Sequence, residues 1–387
     1  MRSMTIAQQE PSASTAQMVD LFAGPGGLDV AARWLEVPAV GIEWDGNACA
    51  TRRQAGLETV QGDVRDHGPH EFPHATVLTG GPPCQTYTLA GSGGGRRALD
   101  QVLEFMARMV EGEDVATDLA ALDDERTGLV LQPLRWALEA HHLGRPYETI
   151  VLEQVPAVLP VWKAMEEVLQ GIGYKTTSDV LHAEEYGVPQ TRRRAILIAT
   201  LHGSPTMPKV THRRYRKRSV TNEVQSSLAA CETIGGTLKR AGSFVVVSNY
   251  GSGGDPKARG RRTSREPAFT VTGKVSRNRV LSDRGDELDR FNLSEAGLLQ
   301  TFPADYPWSG KDVYQQIGNA IPPRLAAHVL AAALGTELDK EFFGRMMKQS
   351  WLNAEDDESN PAQTTDPNLA QFAPTSLEHR ELVASQS

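Results

Sequence analysis

Short apolar runs that stop in an acid or a glycine turn recur along the first half of this chain. Met18-Val19-Asp20-Leu21-Phe22 leads into Ala23-Gly24-Pro25-Gly26-Gly27, and helical spacing follows from Leu28 to Leu35. Val40-Gly41-Ile42 ends on Glu43, and Val60 is followed by Gly62-Asp63. Thr76-Val77-Leu78-Thr79 breaks at Gly80-Gly81-Pro82-Pro83, and Thr149-Ile150-Val151-Leu152 ends on Glu153. Another apolar run spans Arg194 to Thr200. Strands alternating with helices predict an α/β fold, a mostly parallel sheet covered on both faces. In such a sheet the strand ends gather their polar residues around one crevice.

The pattern weakens between about 201 and 305, where Arg213-Arg214-Tyr215-Arg216-Lys217-Arg218 and Tyr250-Gly251-Ser252-Gly253-Gly254 lie. It returns as helical spacing from Pro323 to Leu334, with prolines suited to a first helical turn. This predicts a main domain from 17–200 plus 310–345 and a smaller, irregular domain over 201–309. Residues 1–16 and 346–387, the latter holding Glu355-Asp356-Asp357-Glu358, read as polar disordered tails.

Charge is unevenly placed. Between Lys209 and Arg279 there are 16 Lys+Arg against 4 Asp+Glu, in a chain whose net charge is -8. A basic segment within an acidic protein is the footprint of a surface for a polyanion, although a solvated charged face gives the same count. The 3 cysteines (Cys49, Cys84, Cys231) form no CxxC pair, which argues against a zinc site or a disulfide framework. No apolar run approaches the ~20 residues of a membrane span, and Met1 to Gln17 lacks an apolar signal core. A cytoplasmic protein without metal is expected.

Two sites emerge. At the first, Gly24, Gly26 and Gly27 let backbone approach a ligand, and Glu43 lies where a ribose hydroxyl pair is gripped in doubly wound folds. Asp63 could accept from an adenine amino group, and Trp44 adds an aromatic face. The turn lacks GxGxxG spacing, which points to a nucleoside and away from a dinucleotide. At the second, two prolines present Cys84 on a stiff turn. Glu153 ends another strand over the same crevice, and Gln190, Arg192 and Arg194 follow as Gln-x-Arg-x-Arg. Taken singly, Cys84 also suits a small packing residue and each arginine a surface charge. Gly91 to Gly95 suits a closing loop.

Together these residues resemble the cytosine-C5 DNA methyltransferase family. Its first motifs are similar to Asp20-Leu-Phe-Ala-Gly-Pro-Gly-Gly27, Glu43-Trp44 and Gly62-Asp63. Gly81-Pro82-Pro83-Cys84-Gln85 matches its nucleophile motif, and Glu153-Gln154-Val155 resembles its Glu-Asn-Val. Tyr186 to Arg194 matches its eighth motif, Arg265 to Lys274 resembles the ninth, and Leu299 to Pro303 with Gln316 to Pro323 resembles the tenth and its approach.

The resemblance implies a Rossmann-like sheet that binds S-adenosylmethionine, and a smaller target-recognition domain. It implies that Cys84 attacks C6 of a cytosine flipped out of double-stranded DNA, at a cost of roughly a few kcal/mol. Glu153 would bond N3 and the exocyclic amine, Arg194 the cytosine O2, and Arg192 would steady Glu153 and the closing loop. Asp20, Phe22, Gly24, Gly26, Gly27, Glu43, Trp44, Asp63, Val64, Pro82, Asn319 and Ala320 would form the cofactor site. Gln85, Gln190, Arg213, Arg214, Arg216, Arg259, Arg261 and Arg262 would meet DNA. One chain carries every motif, so a monomer is expected.

Three departures stand out. Gln154 replaces the usual Asn, Thr86-Tyr87-Thr88 replaces a small-aromatic-Ser sequence, and an acidic helix-like insert runs from Arg97 to about Asp124. Two other readings stay open on sequence alone: an RNA cytosine-C5 methyltransferase, and an inactive nucleic-acid-binding relative.

Overall fold

The computed structural model describes residues 15–83, 94–121, 126–217, 227–249 and 259–352. Its first half runs through strands β1 (Met18–Leu21), β2 (Ala39–Glu43), β3 (Thr59–Gln61), β4 (Val77–Gly80) and β5 (Thr149–Gln154). Helices α1 (Gly27–Trp34) and α2 (Gly46–Gln54) connect the first three strands. Between β4 and β5 lie α3 (Gly94–Val110), α4 (Ala116–Ala120), α5 (Arg126–Leu129) and α6 (Gln132–His142). After β5 come α7 (Leu159–Gly171), β6 (Lys175–His182), the short β7 (Gln190–Thr191) and β8 (Arg193–Thr200).

Seven strands form one sheet in the order β3-β2-β1-β4-β5-β8-β6. All run parallel except β8, which pairs antiparallel with both β5 and β6. The expected mostly parallel sheet is therefore present. Strand order reverses between β1 and β4, and in open α/β sheets that reversal opens a crevice at the strand C-termini. The two faces are filled by alternation. Ile150 and Leu152 of β5, with Ala195, Leu197 and Ala199 of β8, pack in the core that holds Trp136 of α6 and Trp162 of α7. Val151, Ile196 and Ile198 point the other way, into the core that holds α1 and a later helix, α11 (Pro323–Leu334). Strand β6 was not evident from sequence. It lies at the sheet edge, so its side chains are half-exposed and largely polar, and no apolar run marks it.

The stretch read as irregular contains order of its own. Strands β9 (Phe244–Val247), β10 (Arg261–Thr263), β12 (Arg279–Ser282) and β13 (Glu287–Leu288) form a four-stranded antiparallel sheet. β11 (Ala268–Phe269) pairs instead with β7. A separate apolar cluster, with Phe244, Val246, Val280 and Phe291, lies under this sheet. It takes in Ile234 of α8 (Ile234–Leu238), Leu299 of α9 (Leu293–Leu299) and Ile317 of α10 (Val313–Asn319).

The ordered chain also continues past residue 346, where a polar tail was expected to begin. Trp351 is buried, its Nε1 donates to Ala55 O at 3.0 Å, and the Arg33 guanidinium lies 4.4 Å from the ring centroid. Asp305 accepts from Trp351 N at 2.9 Å and from Ser350 Oγ at 2.6 Å. The acidic run 355–358 lies outside the described residues, as do residues 1–14. Among the described residues no helix is long and apolar enough to cross a membrane.

The acidic insert is largely a packed helix. Val102, Phe105, Met106 and Met109 of α3 are buried in the main core. Arg108 holds Glu113 and Asp118 at 2.7 Å each, so two of the insert's acids are neutralised within it.

Candidate active site

The glycine turn after β1 is built by backbone conformations that few residues adopt. Phe22 sits at φ 59, unusual for a bulky side chain and a form of strain that clusters at functional sites. Gly26 lies at φ 103, and a Cβ there would come within 2.3 Å of Leu57 Cδ1. The turn is tied to β2, because Glu43 Oε2 accepts from Gly24 N at 2.7 Å while its Oε1 accepts from Asp45 N at 2.6 Å. Burial pushes the Glu43 carboxyl upward, and these two amides work against that rise.

A cavity of about 830 Å³ opens over these strand ends. Of the residues expected at the cofactor, Asp20, Phe22, Gly24, Gly27, Glu43, Trp44, Asp63, Val64, Asn319 and Ala320 line it. Trp44 is 71% exposed at the rim. Two of the expected residues do not face the cavity: Gly26 turns toward Leu57 and Tyr306, and Pro82 is buried. Pro82 instead offers its carbonyl to Gln154 Nε2 at 2.6 Å, and Gly81 and Pro83 on either side line the wall. The cavity also includes Arg65, missed by sequence. Its guanidinium grips Asp63 at 2.5 Å. Burial opposes ionisation of Asp63, but the Arg65 bonds outweigh it and hold the carboxyl below its usual range.

The far wall carries Glu153 and Arg194. Arg194 Nε lies 2.5 Å from Glu153 Oε1, yet that oxygen receives no well-directed hydrogen bond. A buried carboxylate oxygen without a directed donor is costly, and a ligand N–H could satisfy it. Cys84 and Gln85 lie outside the described residues, as do Thr86 to Thr88 and Gly91, Ser92 and Gly93 of the glycine-rich stretch. The described segment ends at Pro83, in the cavity wall.

Arg192 is placed differently from expectation. It is buried beneath the cavity and donates to Val271 O at 2.9 Å and to Gly318 O and Ala320 O at 3.0 Å each. It does not line the cavity; its bonds fix the segment that carries Asn319.

Gln190, expected at DNA, is corrected by the structure. It is fully buried, its Nε2 donating to Leu299 O at 2.7 Å and to Gln300 Oε1 at 2.6 Å, while Val271 N donates to its Oε1 at 2.9 Å. An amide that is fully buried, with both its N–H groups used, joins two parts of the chain and is out of reach of a base edge. Arg213, Arg214, Arg216 and Arg261 are exposed, and Arg259 is half-exposed. Arg262 is largely enclosed, with its guanidinium 4.2 Å from the Tyr215 ring centroid and 5.2 Å from that of Phe269. The second glycine-rich stretch, Tyr250 to Gly254, and Arg218 are outside the described residues.

Gln154 explains how one departure from the family pattern is absorbed. Its Oε1 accepts from Val155 N at 2.6 Å while Nε2 holds Pro82 O, so one amide clamps the end of β5 to the turn that leads to Cys84. Gln154→Ala is expected to lower kcat by about fivefold to tenfold, the scale of one lost hydrogen bond of roughly 1 kcal/mol. Gln154→Asn should recover part of the loss. Single-turnover kinetics would check this, and a Gln154→Ala rate equal to wild type would remove the clamp from the account.

The sequence model of the family described as C-5 cytosine-specific DNA methylase matches residues 16–111 and 122–334. The chain belongs to that family. The gap between the two matched stretches, 112–121, contains α4. Among curated relatives, the Type II methyltransferase M1.HphI of Haemophilus parahaemolyticus is 26% identical over 363 residues, covering 82% of this chain and 86% of its own length. The Type II methyltransferase M.PspPI of Psychrobacter sp. is 27% identical, covering 82% of this chain and 78% of its own. Among solved structures, the Entamoeba histolytica methyltransferase EhMeth aligns with a TM-score of 0.55 at 14% identity, over 83% of this chain and 98% of that one. At that identity the likeness speaks for the fold alone. The enzyme is a DNA cytosine-C5 methyltransferase.

Proposed function

We propose that this enzyme moves a methyl group from S-adenosylmethionine to C5 of a cytosine flipped out of double-stranded DNA, through a covalent bond to Cys84. The observation that carries the reading is one cavity with a nucleoside-type grip at one end and a buried carboxylate–arginine pair at the other. Glu43 on β2 and Glu153 on β5 line the same space, with Gly81 and Pro83 between them.

The residues fit the cofactor. The Glu43 carboxylate has lone pairs left for ribose hydroxyls after its two backbone bonds. Phe22 and Trp44 offer ring faces, and Asp63, kept ionised by Arg65, can accept from an adenine amine. When bound, the cofactor supplies an electrophilic methyl on a sulfonium.

The chain's own residues do the rest. Cys84 adds as thiolate to C6, while Glu153 accepts from the exocyclic amine and shares a proton with N3, which takes it up as negative charge builds in the ring. Arg194, beside Glu153, bonds the cytosine O2. Arg192 acts from behind, holding the carbonyls of residues 271, 318 and 320. After methyl transfer the C5 proton leaves to solvent and Cys84 is eliminated.

Residues 17–200 with 310–345 form the catalytic domain in this reading, and 201–309 the recognition domain. Arg213, Arg214, Arg216, Arg259 and Arg261 meet DNA, with Arg262 stiffened against Tyr215. The Type II relatives favour a place in a restriction-modification system.

The test is transfer from labelled S-adenosylmethionine to unmethylated duplex DNA, followed by sequencing for 5-methylcytosine. Label at cytosine C5 in a defined sequence context is expected. Transfer to tRNA with none to any duplex would overturn the reading.

A further inference from the structure

Beneath the cofactor cavity lies a charge imbalance. Asp20, Asp29 and Arg52 are all buried, at 1%, 2% and 0% exposure, so two acids face one cation. Arg52 is committed to Asp29: Nη1 and Nη2 donate to its two oxygens at 2.7 Å each. The guanidinium also donates to Glu58 O and Thr59 Oγ1, both at 3.0 Å. Asp20 takes a hydrogen bond from the Thr79 hydroxyl, which donates to its Oδ1 at 2.7 Å, and it also feels the Asp29 carboxyl and the Arg52 charge, the latter drawing its carboxyl down. An isolated buried carboxylate is expensive, and two carboxyls in contact share a proton more readily than they both ionise. Burial first, and then the neighbouring charge of Asp29, push the Asp20 carboxyl well above its usual range. The other titratable groups around this network are Tyr306, whose hydroxyl donates to Pro25 O at 2.5 Å and which burial keeps neutral, and Glu43 and Cys49, both pushed up by burial and drawn down by the Arg52 charge.

Asp20 also lines the cavity between the strand ends that carry Glu43 and Glu153. β1 stands between β2, which ends on Glu43, and β4, which leads to Gly81 and Pro83; β5 with Glu153 is next. In register, Asp20 is opposite Gly41 on one side and Thr79 on the other. A donor gripped at Glu43 and a base gripped at Glu153 meet over the ends of β1 and β4, and Asp20 lines the cavity there. The donor carries a positive charge on sulfur, and after transfer that sulfur is a neutral thioether.

Resting on the function proposed above, we propose that Asp20 is a proton-linked specificity residue. It is neutral before the donor binds and ionises when the sulfonium arrives, releasing its proton to solvent. It takes a proton back once the sulfur becomes neutral. The site thereby distinguishes donor from spent product by charge, holding the sulfonium with an anion that exists only in its presence. An opposite charge within about 4–6 Å lowers a carboxyl pKa by about 1–3 units, against the rise that burial and Asp29 impose on Asp20.

The test is calorimetric titration of the full-length protein at pH 6.5, in two buffers of different ionisation enthalpy. S-adenosylmethionine and S-adenosylhomocysteine serve as ligands. At that pH an α-amino group, with a pKa of about 7.7–8.0, stays largely protonated and adds little to the count. The donor is expected to release about one proton and the thioether almost none. The donor's Kd should tighten by up to about tenfold per pH unit between pH 6 and 7, with a flat profile for the thioether. Asp20→Asn keeps an acceptor for Thr79 and should abolish the release. Equal proton counts for both ligands in wild type overturn the proposal, and so does a release that survives in Asp20→Asn. The wild-type comparison decides even if the variant does not fold. If wild type binds neither ligand, the functional reading itself falls.

Discussion

Cys84→Ser is expected to abolish turnover, cutting the methylation rate by at least roughly a thousandfold, the scale on which loss of a covalent nucleophile acts. A serine hydroxyl is far less acidic than a thiol, so at neutral pH it supplies almost no anion to add at C6. The effect should fall on chemistry and leave binding alone. Glu153, Arg194 and the cofactor face are separate side chains in the cavity wall, so cofactor affinity and DNA affinity should stay near wild type. A duplex containing 5-fluorocytosine gives an independent readout. Fluorine cannot leave as a proton does, so wild type should be trapped as a protein–DNA adduct stable to denaturing electrophoresis. Cys84→Ser should give no adduct. An undiminished methylation rate in the variant, or an adduct formed without Cys84, would refute the covalent route. The other two cysteines serve as an internal check. Cys49 is buried and its thiol is pushed up to about 11 by burial and by Glu43, while burial also raises Cys231. Neither is set to become a thiolate at neutral pH.

The parts of this site that were legible in the sequence are those fixed over short stretches of chain. Asp20 to Gly27, Glu43 and Asp63 announce themselves because a strand end, a glycine turn and an acid follow one another within a few residues. Glu153 was found the same way. What stayed hidden depends on partners distant in sequence. Arg52 lies on a helix of mostly polar residues that offers no apolar face to mark it, yet it is fully buried because Asp29, 23 residues earlier, meets it from the preceding helix. Gln190 sits inside a motif dominated by arginines and reads as a DNA contact. Its amide is instead consumed by Leu299, Gln300 and Val271, about 80 to 110 residues away. Arg65 carried a local signal that could have been read, since it follows Asp63 by two residues and bonds it directly. β6 and the packing of Trp351 were missed for another reason. An edge strand needs no apolar alternation, and a single tryptophan at the end of a polar stretch gives no periodicity.

Glu153→Gln should be the next most damaging change. The side chain keeps its length and one carbonyl acceptor, so the wall around it, including the close approach of Gly81, need not move; a Cβ on Gly81 would lie 3.5 Å from Glu153 Oε2. What is lost is the negative charge beside Arg194 and the ability to share a proton with the ring nitrogen. That proton matters only as Cys84 adds and electrons are pushed into the ring, so the substitution weakens the transition state more than the bound base. A rate loss of about 10²–10³ is expected, comparable to removing one preorganised charge-stabilising group and worth about 3–4 kcal/mol. The loss should appear in kcat, with cofactor affinity unchanged, because Glu153 and the Glu43 grip lie at different strand ends. Arg194 would lose its ionic partner at 2.5 Å in a site where both side chains are nearly enclosed, 12% and 8% exposed, so some stability should go as well. Urea unfolding separates that cost from catalysis. The base should still leave the helix, which a fluorescent 2-aminopurine placed at the target position would report by its unstacking. A variant that flips the base and binds the cofactor but methylates within tenfold of wild type would mean that Glu153 does not stabilise the charge in the ring. Arg194 would then have to do so alone, an arrangement in which Arg194→Ala becomes the more damaging change.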